Sequence, residues 1–223
     1  MTEDLSPVLS RLEALGEKVT PAAELKLARF RDLLAESNAK YSLVSAGDGG
    51  RVVARHFVEC AGFLRWLPEA SLAVLDFGTG GGLPGIVVAA LRTEARVLLL
   101  ESRARKQVFL RHAVRTLELP NAAVAGRIDE ASRAHSPPFD RVLVRGVGPI
   151  SDVVPEVSAH LAPGGLLVMS KGARAMDEIV AAERLGTLRS MEWLEQRIDS
   201  LTTKDVGLIG CPTLVFRRRI DSR

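Results

Sequence analysis

The chain has 223 residues, of which 47% are hydrophobic and 26% charged, enough apolar material for a full core with an extension; that balance excludes a disordered or low-complexity chain. A formal net charge of +3 and a pI near 9.1 allow a polyanionic partner without requiring one. Cys60 and Cys211 stand far apart without a C-x-x-C, so neither a disulfide framework nor a metal is expected, and the acidic start and lack of a long apolar run argue for a cytoplasmic, non-membrane protein.

Leu5, Val8, Leu9, Leu12 and Leu15 recur at helical steps up to Gly16. Thr20-Pro21 then opens a second helix with Ala23, Leu27, Phe30 and Leu34 on one face. Ser37 to Ser45 reads as a linker that carries Tyr41, the only tyrosine, either as an amphipathic packing residue at a seam or as a contact. A third helix runs from about Gly50 to Leu67 with Val53, Phe57, Cys60, Ala61 and Leu64 inward. Residues 1–68 thus form an N-terminal helical extension to a unit spanning 69–223, and its helices have no reason to stand alone.

That unit opens on Leu72 to Ile86, LAVLDFGTGGGLPGI. A short apolar run bounded by glycines predicts a strand buried on both faces, followed by a glycine loop and a helix that Pro84 helps to start. The loop fits two templates. Gly80, Gly82 and Gly85 satisfy the dinucleotide pattern G-x-G-x-x-G, whose helix N-terminus holds a pyrophosphate. Asp76, Gly78, Gly80 and Gly82 satisfy D-x-G-x-G-x-G, the loop of S-adenosylmethionine (SAM)-dependent methyltransferases. A carboxylate at the strand end repels a pyrophosphate but suits a ligand with an ammonium, a sulfonium and no phosphate, which favours SAM. The second strand, Arg96 to Leu100, ends in Glu101, placed to accept ribose hydroxyls in either template.

Strands are predicted at 72–77, 96–101, 122–126, 140–146 and 165–171, alternating with helices near 83–92, 103–118, 151–161 and 174–185. Ser190 to Leu201 and Thr213 to Arg219 then read as two strands joined by Thr202 to Pro212, with no room for a crossover helix, so the pair is antiparallel. The fold class is α/β: a doubly wound, Rossmann-like class I methyltransferase sheet with an antiparallel C-terminal strand pair.

These residues carry a resemblance. The loop Gly78-Thr-Gly-x-Gly-Leu-Pro-Gly85, Asn38 and Leu43 upstream, Arg55-His56 in the third helix, Ser102 with a following basic pair and Phe109-Leu110, Arg145 after the fourth strand and Lys171-Gly172 after the fifth are similar to the RsmG (GidB) family of bacterial 16S ribosomal RNA guanine-N7 methyltransferases. The likeness spans residues 25 to 217, though Ser42 stands where the family commonly has asparagine and Arg105-Lys106 reverses the usual Lys-Arg order. It implies SAM held by Asp76, Gly78, Thr79, Gly80, Gly82, Leu83, Glu101, Ser102, Ile128, Asp129 and Arg145. Arg145 and Lys171, at the carboxyl ends of strands, become candidate catalytic cations. Arg55, His56, Arg105, Lys106 and Lys171 become candidate contacts to 16S rRNA or a small-subunit particle, with a monomeric enzyme and no metal expected.

The target atom follows partly by exclusion. Amine methylation usually shows D/N-P-P-aromatic after the fourth strand, where this chain has Arg145-Gly-Val-Gly148, and pyrimidine C5 methylation needs a cysteine nucleophile near those strand ends, where there is none. Guanine N7 has its own lone pair, so attack on a sulfonium methyl needs no general base. His56 therefore reads as a packing or hydrogen-bonding residue or as an RNA contact. Arg103, Arg105, Lys106, Arg111 and Arg115 on one helix, and Arg217 to Arg219 at the end, are either a phosphate-binding surface or solvated faces. A small-molecule methyltransferase is the alternative, but it should show an aromatic lid, and only 4% of the residues are aromatic.

Overall fold

The computed structural model describes residues 3–45, 51–127, 138–203 and 207–220, with the backbone alone described between 196 and 211. Helix α1 spans Ser6–Ala14 and α2 spans Pro21–Tyr41. Thr20 caps α2 through its side chain, which accepts from Ala23 N, and Pro21 supplies the first helical φ. The stretch read as a linker begins inside this helix. α2 stops only at Ser42, in the left-handed region at φ 51°, and Asn38 Oδ1 takes the Leu43 and Val44 N–H groups at 2.8 and 2.9 Å.

The third predicted helix is one rod with three windings: a π-helical stretch at Val52–Phe57, an α-helical turn at Val58–Gly62, here α3, and a 3-10 turn at Phe63–Trp66. Its start is held from outside, because Glu3 accepts from Val53 N at 2.9 Å and from Ala54 N at 2.8 Å. A carboxylate on the free N–H groups of a helix start is favourable for both hydrogen bonding and the helix dipole.

The sheet consists of β1 Ala73–Phe77, β2 Arg96–Leu100, β3 Ala122–Ala125, β4 Phe139–Arg145, β5 Leu161–Ser170, β6 Met191–Thr203 and β7 Gly207–Arg218. Their order is β3-β2-β1-β4-β5-β7-β6; β7 runs antiparallel to both neighbours and the first five strands run parallel. Between them lie α4 Gly85–Leu91, α5 Ala104–Thr116, α6 Ile150–Ser158 and α7 Ala175–Arg184. β5 starts earlier than the sequence pattern implied, because Leu161 already pairs with Phe139 before a register shift leads to Arg141 and Leu166.

The C-terminal hairpin is also longer than predicted. Gly207 to Pro212, read as part of a connection, pairs residue for residue with β6 from Thr203 back to Ile198. Pro212 fits because its carbonyl faces β5, where it accepts from Lys171 N at 3.0 Å. Its missing N–H would lie on that same side, just beyond the last β5 pair, Ser170 with Thr213.

Side-chain alternation along the strands feeds two cores. Val74, Leu99, Leu143, Val168 and Val215 pack with α1 to α5, whereas Leu75, Leu98, Val142, Leu167 and Phe216 pack with α6 and α7. The N-terminal helices thus share one hydrophobic cluster with α4, α5 and the sheet, on both sides of the division expected near residue 68. Buried Arg92 adds a polar tie by donating to Leu67 O and pairing with Glu17, both at 2.6 Å.

Candidate active site

β1 sends its chain to α4 on one face of the sheet, and β4 sends its chain to α6 on the other. The strand order reverses between β1 and β4, and a crevice opens beyond their carboxyl ends, the usual ligand position in an open α/β sheet. The glycine loop fills one side of it. Gly78, Gly80 and Gly82 have φ of +71°, +60° and +91°, where a side chain is strained. Their surroundings separate their roles. A Cβ on Gly78 would meet Val147 Cγ2 at 2.5 Å and one on Gly82 would meet Ile86 Cδ1 at 2.5 Å, so these two permit close packing. A Cβ on Gly80 would find nothing nearer than 3.9 Å, so there the absent side chain leaves an open cradle. Leu34 and Leu43 of the N-terminal extension back the loop at Gly81.

Asp76 is 1% exposed. Its Oδ2 accepts from Thr79 Oγ1 at 2.5 Å and from Gly85 N at 2.7 Å, so the carboxylate braces the loop and the start of α4, while Oδ1 is buried without a hydrogen-bond partner. Burial pushes its pKa up to about 6 against the opposing pull of those two hydrogen bonds. At the end of β2, buried Glu101 accepts from Arg103 N through Oε1 at 2.8 Å. No partner for Oε2 stands among the described residues, which leaves an acceptor for a ligand hydroxyl.

A cleft of about 510 Å³ runs along these strand ends, lined by Phe77, Gly78, Ser102, Arg127, Asp152 and Glu156 among others. Beside it, across Val147, lies a second hollow of about 330 Å³ lined by Arg55, Glu59, Arg145, Ser170, Lys171 and Glu178 among others. An open glycine cradle, an orphaned buried carboxylate oxygen, a spare Glu101 oxygen and a cleft with two lining acids fit a cationic ligand bearing hydroxyls and no phosphate.

The family model of the rRNA small subunit methyltransferase G family (GidB) matches residues 23–206. The chain belongs to this family. The ribosomal RNA small subunit methyltransferase G of Rhodospirillum centenum is 35% identical over 168 residues, covering 75% of this chain and 76% of its own length. That of Cereibacter sphaeroides is 35% identical over 188 residues, covering 82% and 86%. Among solved structures, the ribosomal protein L11 methylase of Lactobacillus delbrueckii subsp. bulgaricus aligns with a TM-score of 0.56 at 15% identity over 74% of this chain and 79% of its own. A SAM-dependent O-methyltransferase of Thermotoga maritima gives 0.53 at 12% identity over 74% and 66%. At such identities the two structures show a shared methyltransferase fold.

In this rRNA small subunit methyltransferase G family member, the strand-end cations are committed to partners. Arg145 Nε donates to Glu59 Oε2 at 2.8 Å, and its Nη2 donates to His56 Nδ1. Lys171 Nζ donates to Gly148 O at 2.8 Å and pairs with Glu178 at 2.7 Å, and Glu178 also takes the Ile150 N–H at 3.1 Å. Lys171 and Glu178 together pin the Gly146 to Pro149 loop that divides the two hollows. His56 is buried, and because an arginine N–H must donate, its Nδ1 accepts. Arg55 is exposed on the rim.

The sequence reading missed Glu59, Ser170 and Glu178. For Glu59 a signal existed: a lone carboxylate in the apolar run Val58-Glu-Cys-Ala-Gly62, one helical turn after Arg55. Arg103, Arg105, Arg111 and Arg115 are exposed along α5, with Arg105 donating to Lys40 O at 2.8 Å. Lys106 turns toward the loop, its Nζ 3.9 Å from the Gly80 Cβ position. Tyr41 packs on Phe109 at 6.1 Å with Lys40 Nζ above its ring. The C-terminal arginines are largely engaged: Arg218 reaches the Leu161 carbonyl, Arg219 the Met191 carbonyl at 3.0 Å, and Arg217 the Glu192 carboxylate at 3.8 Å. Ile128 and Asp129 lie outside the described residues. Among the described residues there is no group of three or more side chains suited to a metal, and no helix is long and apolar enough to cross a membrane.

Proposed function

We propose that this chain is a cytoplasmic, monomeric SAM-dependent methyltransferase that methylates N7 of a guanine in 16S rRNA, without a metal, on the RNA or on a small-subunit particle. The observation that carries the cofactor assignment is the charge of the cleft. Asp152 and Glu156 line it, Glu101 stands at its edge, and Arg127 is the one cation among its described lining residues. A pyrophosphate would meet repulsion there, whereas a sulfonium and an ammonium are favoured. The curated relatives carry the rRNA substrate in their names.

When bound, SAM supplies an electrophilic methyl on a sulfonium. The chain's part is to hold and aim. The Gly78 to Leu83 backbone, kept in shape by Asp76 and Thr79, takes the methionine end, Glu101 Oε2 takes ribose hydroxyls, Ser102 lies along the cleft, and Ile128 and Asp129 hold the adenine by resemblance. The target guanine enters from the hollow beside Arg145 and Lys171. Guanine N7 has no proton to lose, and among the described residues of the hollow the carboxylates Glu59 and Glu178 are engaged by Arg145 and Lys171. His56 accepts at Nδ1, so its neutral ring carries the proton on Nε2 and has no free acceptor nitrogen. Cys60 is fully buried, and burial pushes its thiol pKa up, so a covalent route through it is disfavoured. Positioning and electrostatics remain as the source of rate.

Calorimetry with SAM, S-adenosylhomocysteine and NAD tests the cofactor assignment. The first two should bind with one site per chain and NAD should not; NAD binding as tight as SAM would overturn it.

A further inference from the structure

We infer that Glu59 is a positioning residue: it fixes Arg145 at the ends of β4 and β5 and cancels its charge where methyl transfer takes place. This rests on the methyl-transfer reading above. Arg145 and Ser170 are register partners, the last residues of adjacent parallel strands. Glu59 reaches both from the opposing helix, taking Arg145 Nε on Oε2 and Ser170 Oγ on Oε1. Its two carboxylate oxygens thus span two strand ends that lie 86 and 111 residues away in the chain. His56, one turn earlier on the same rod, accepts from Arg145 Nη2, so two of the three guanidinium nitrogens are directed by one helix face. The side chains of Arg145 and Glu59 are 17% and 13% exposed, enclosed enough for the pair to be weakly screened.

The chemistry explains why such a cation would be paired. A sulfonium donor is cationic, and a guanine methylated at N7 becomes cationic, so positive charge passes across the site without leaving it. An uncompensated guanidinium beside that path opposes both binding and transfer. With Glu59 in place the guanidinium keeps its planar donor array and fixed direction while the pair is neutral. Lys171 with Glu178 repeats the arrangement on the other side of the hollow. The two buried or half-buried cations of the hollow, Arg145 and Lys171, are thus each paired with a carboxylate, while Arg55 stands exposed on its rim.

The test uses Glu59→Gln, which keeps the shape and removes the charge; Glu59→Asp, which keeps the charge; and Arg145→Gln alone and combined with Glu59→Gln. Single-turnover methyl transfer to small-subunit particles at saturating SAM should fall about ten- to hundredfold in Glu59→Gln, the range for a reacting group displaced by an ångström or less. Glu59→Asp should recover much of the loss. In the Arg145→Gln background Glu59→Gln should cost under about twofold, because both act through one group. A full, undiminished loss in that background, or a Glu59→Gln enzyme as fast as the parent, overturns the inference. Nuclear magnetic resonance of the Arg145 Nε–H group reads the clamp without turnover. Its signal should be protected from solvent exchange in the parent and lost in Glu59→Gln; persistence there refutes the clamp. A parent that transfers no methyl yet shows this protection and its loss would sink the methyl-transfer reading and leave the clamp standing.

Discussion

Asp76→Asn should make the protein more stable and a poorer cofactor binder. The carboxylate is buried, one oxygen has two donors and the other has none, and burial lifts its pKa from 3.8 to about 6. Asparagine keeps the shape and can accept both bonds on its single oxygen, so it imitates the protonated acid. A folded-state pKa above the unfolded one means that the native state holds the proton more tightly. The associated stability is complete below pH 3.8 and is lost as pH rises through about 6. At about 1.4 kcal/mol per unit, the ionised form costs roughly 3 kcal/mol at pH 7.5, and the variant should gain up to that amount. At pH 5, where the parent is largely protonated in the native state, the gain should shrink to about half. Urea unfolding of parent and variant at the two pH values measures both numbers, and calorimetry at pH 7.5 should show weaker SAM binding by the variant. A gain that is absent, or equal at both pH values, would refute burial of an ionised Asp76 as the source.

Gly80→Ala and Gly85→Ala should fail in different ways. The first meets open space and carries only the left-handed backbone penalty of about 1–2 kcal/mol, yet it fills the cradle, so SAM affinity should drop far more than thermal stability. The second puts a methyl 2.2 Å from Leu99 Cδ2 and 2.6 Å from Asp76 Oδ2, so thermal denaturation should show a loss of about 1–3 kcal/mol or more. Neutralising Arg105 and Lys106 together should weaken RNA binding and flatten its slope against log salt by about 0.7–0.9 for each phosphate no longer neutralised; an unchanged slope would make α5 an ordinary solvated face.

The strand-loop-helix unit at residues 72–91 is legible in the sequence because its signals are local. A short apolar run, glycines that need a positive φ and an acid at the strand end all act within a few residues. Asp76 shows the limit of that reading: the pattern points its carboxylate toward a ligand ammonium, whereas one oxygen is spent on Thr79 and Gly85. The clamp on Arg145 is only half legible: Glu59 shows as a lone carboxylate in an apolar run, but its partners Arg145 and Ser170 reach it only when a helix from the extension lies across two strand ends. The hairpin departs from its sequence pattern at Gly207 to Pro212 for a related reason. Glycines and a proline have the local chemistry of a connection, and pairing with β6 overrides it. The N-terminal rod reads correctly as a helix, but its widened first turns, held by Glu3, depend on a contact 50 residues away.

Single-turnover transfer from labelled SAM to small-subunit particles, with the product nucleoside identified, tests whether guanine N7 is methylated without an enzymic base. The label should appear as 7-methylguanosine at a 16S rRNA site, at a rate that changes little from about pH 6.5 to 8.5, because the acceptor lone pair needs no deprotonation. Label on any other atom, or a rate that rises in proportion to hydroxide across that window, would contradict base-free methylation of N7.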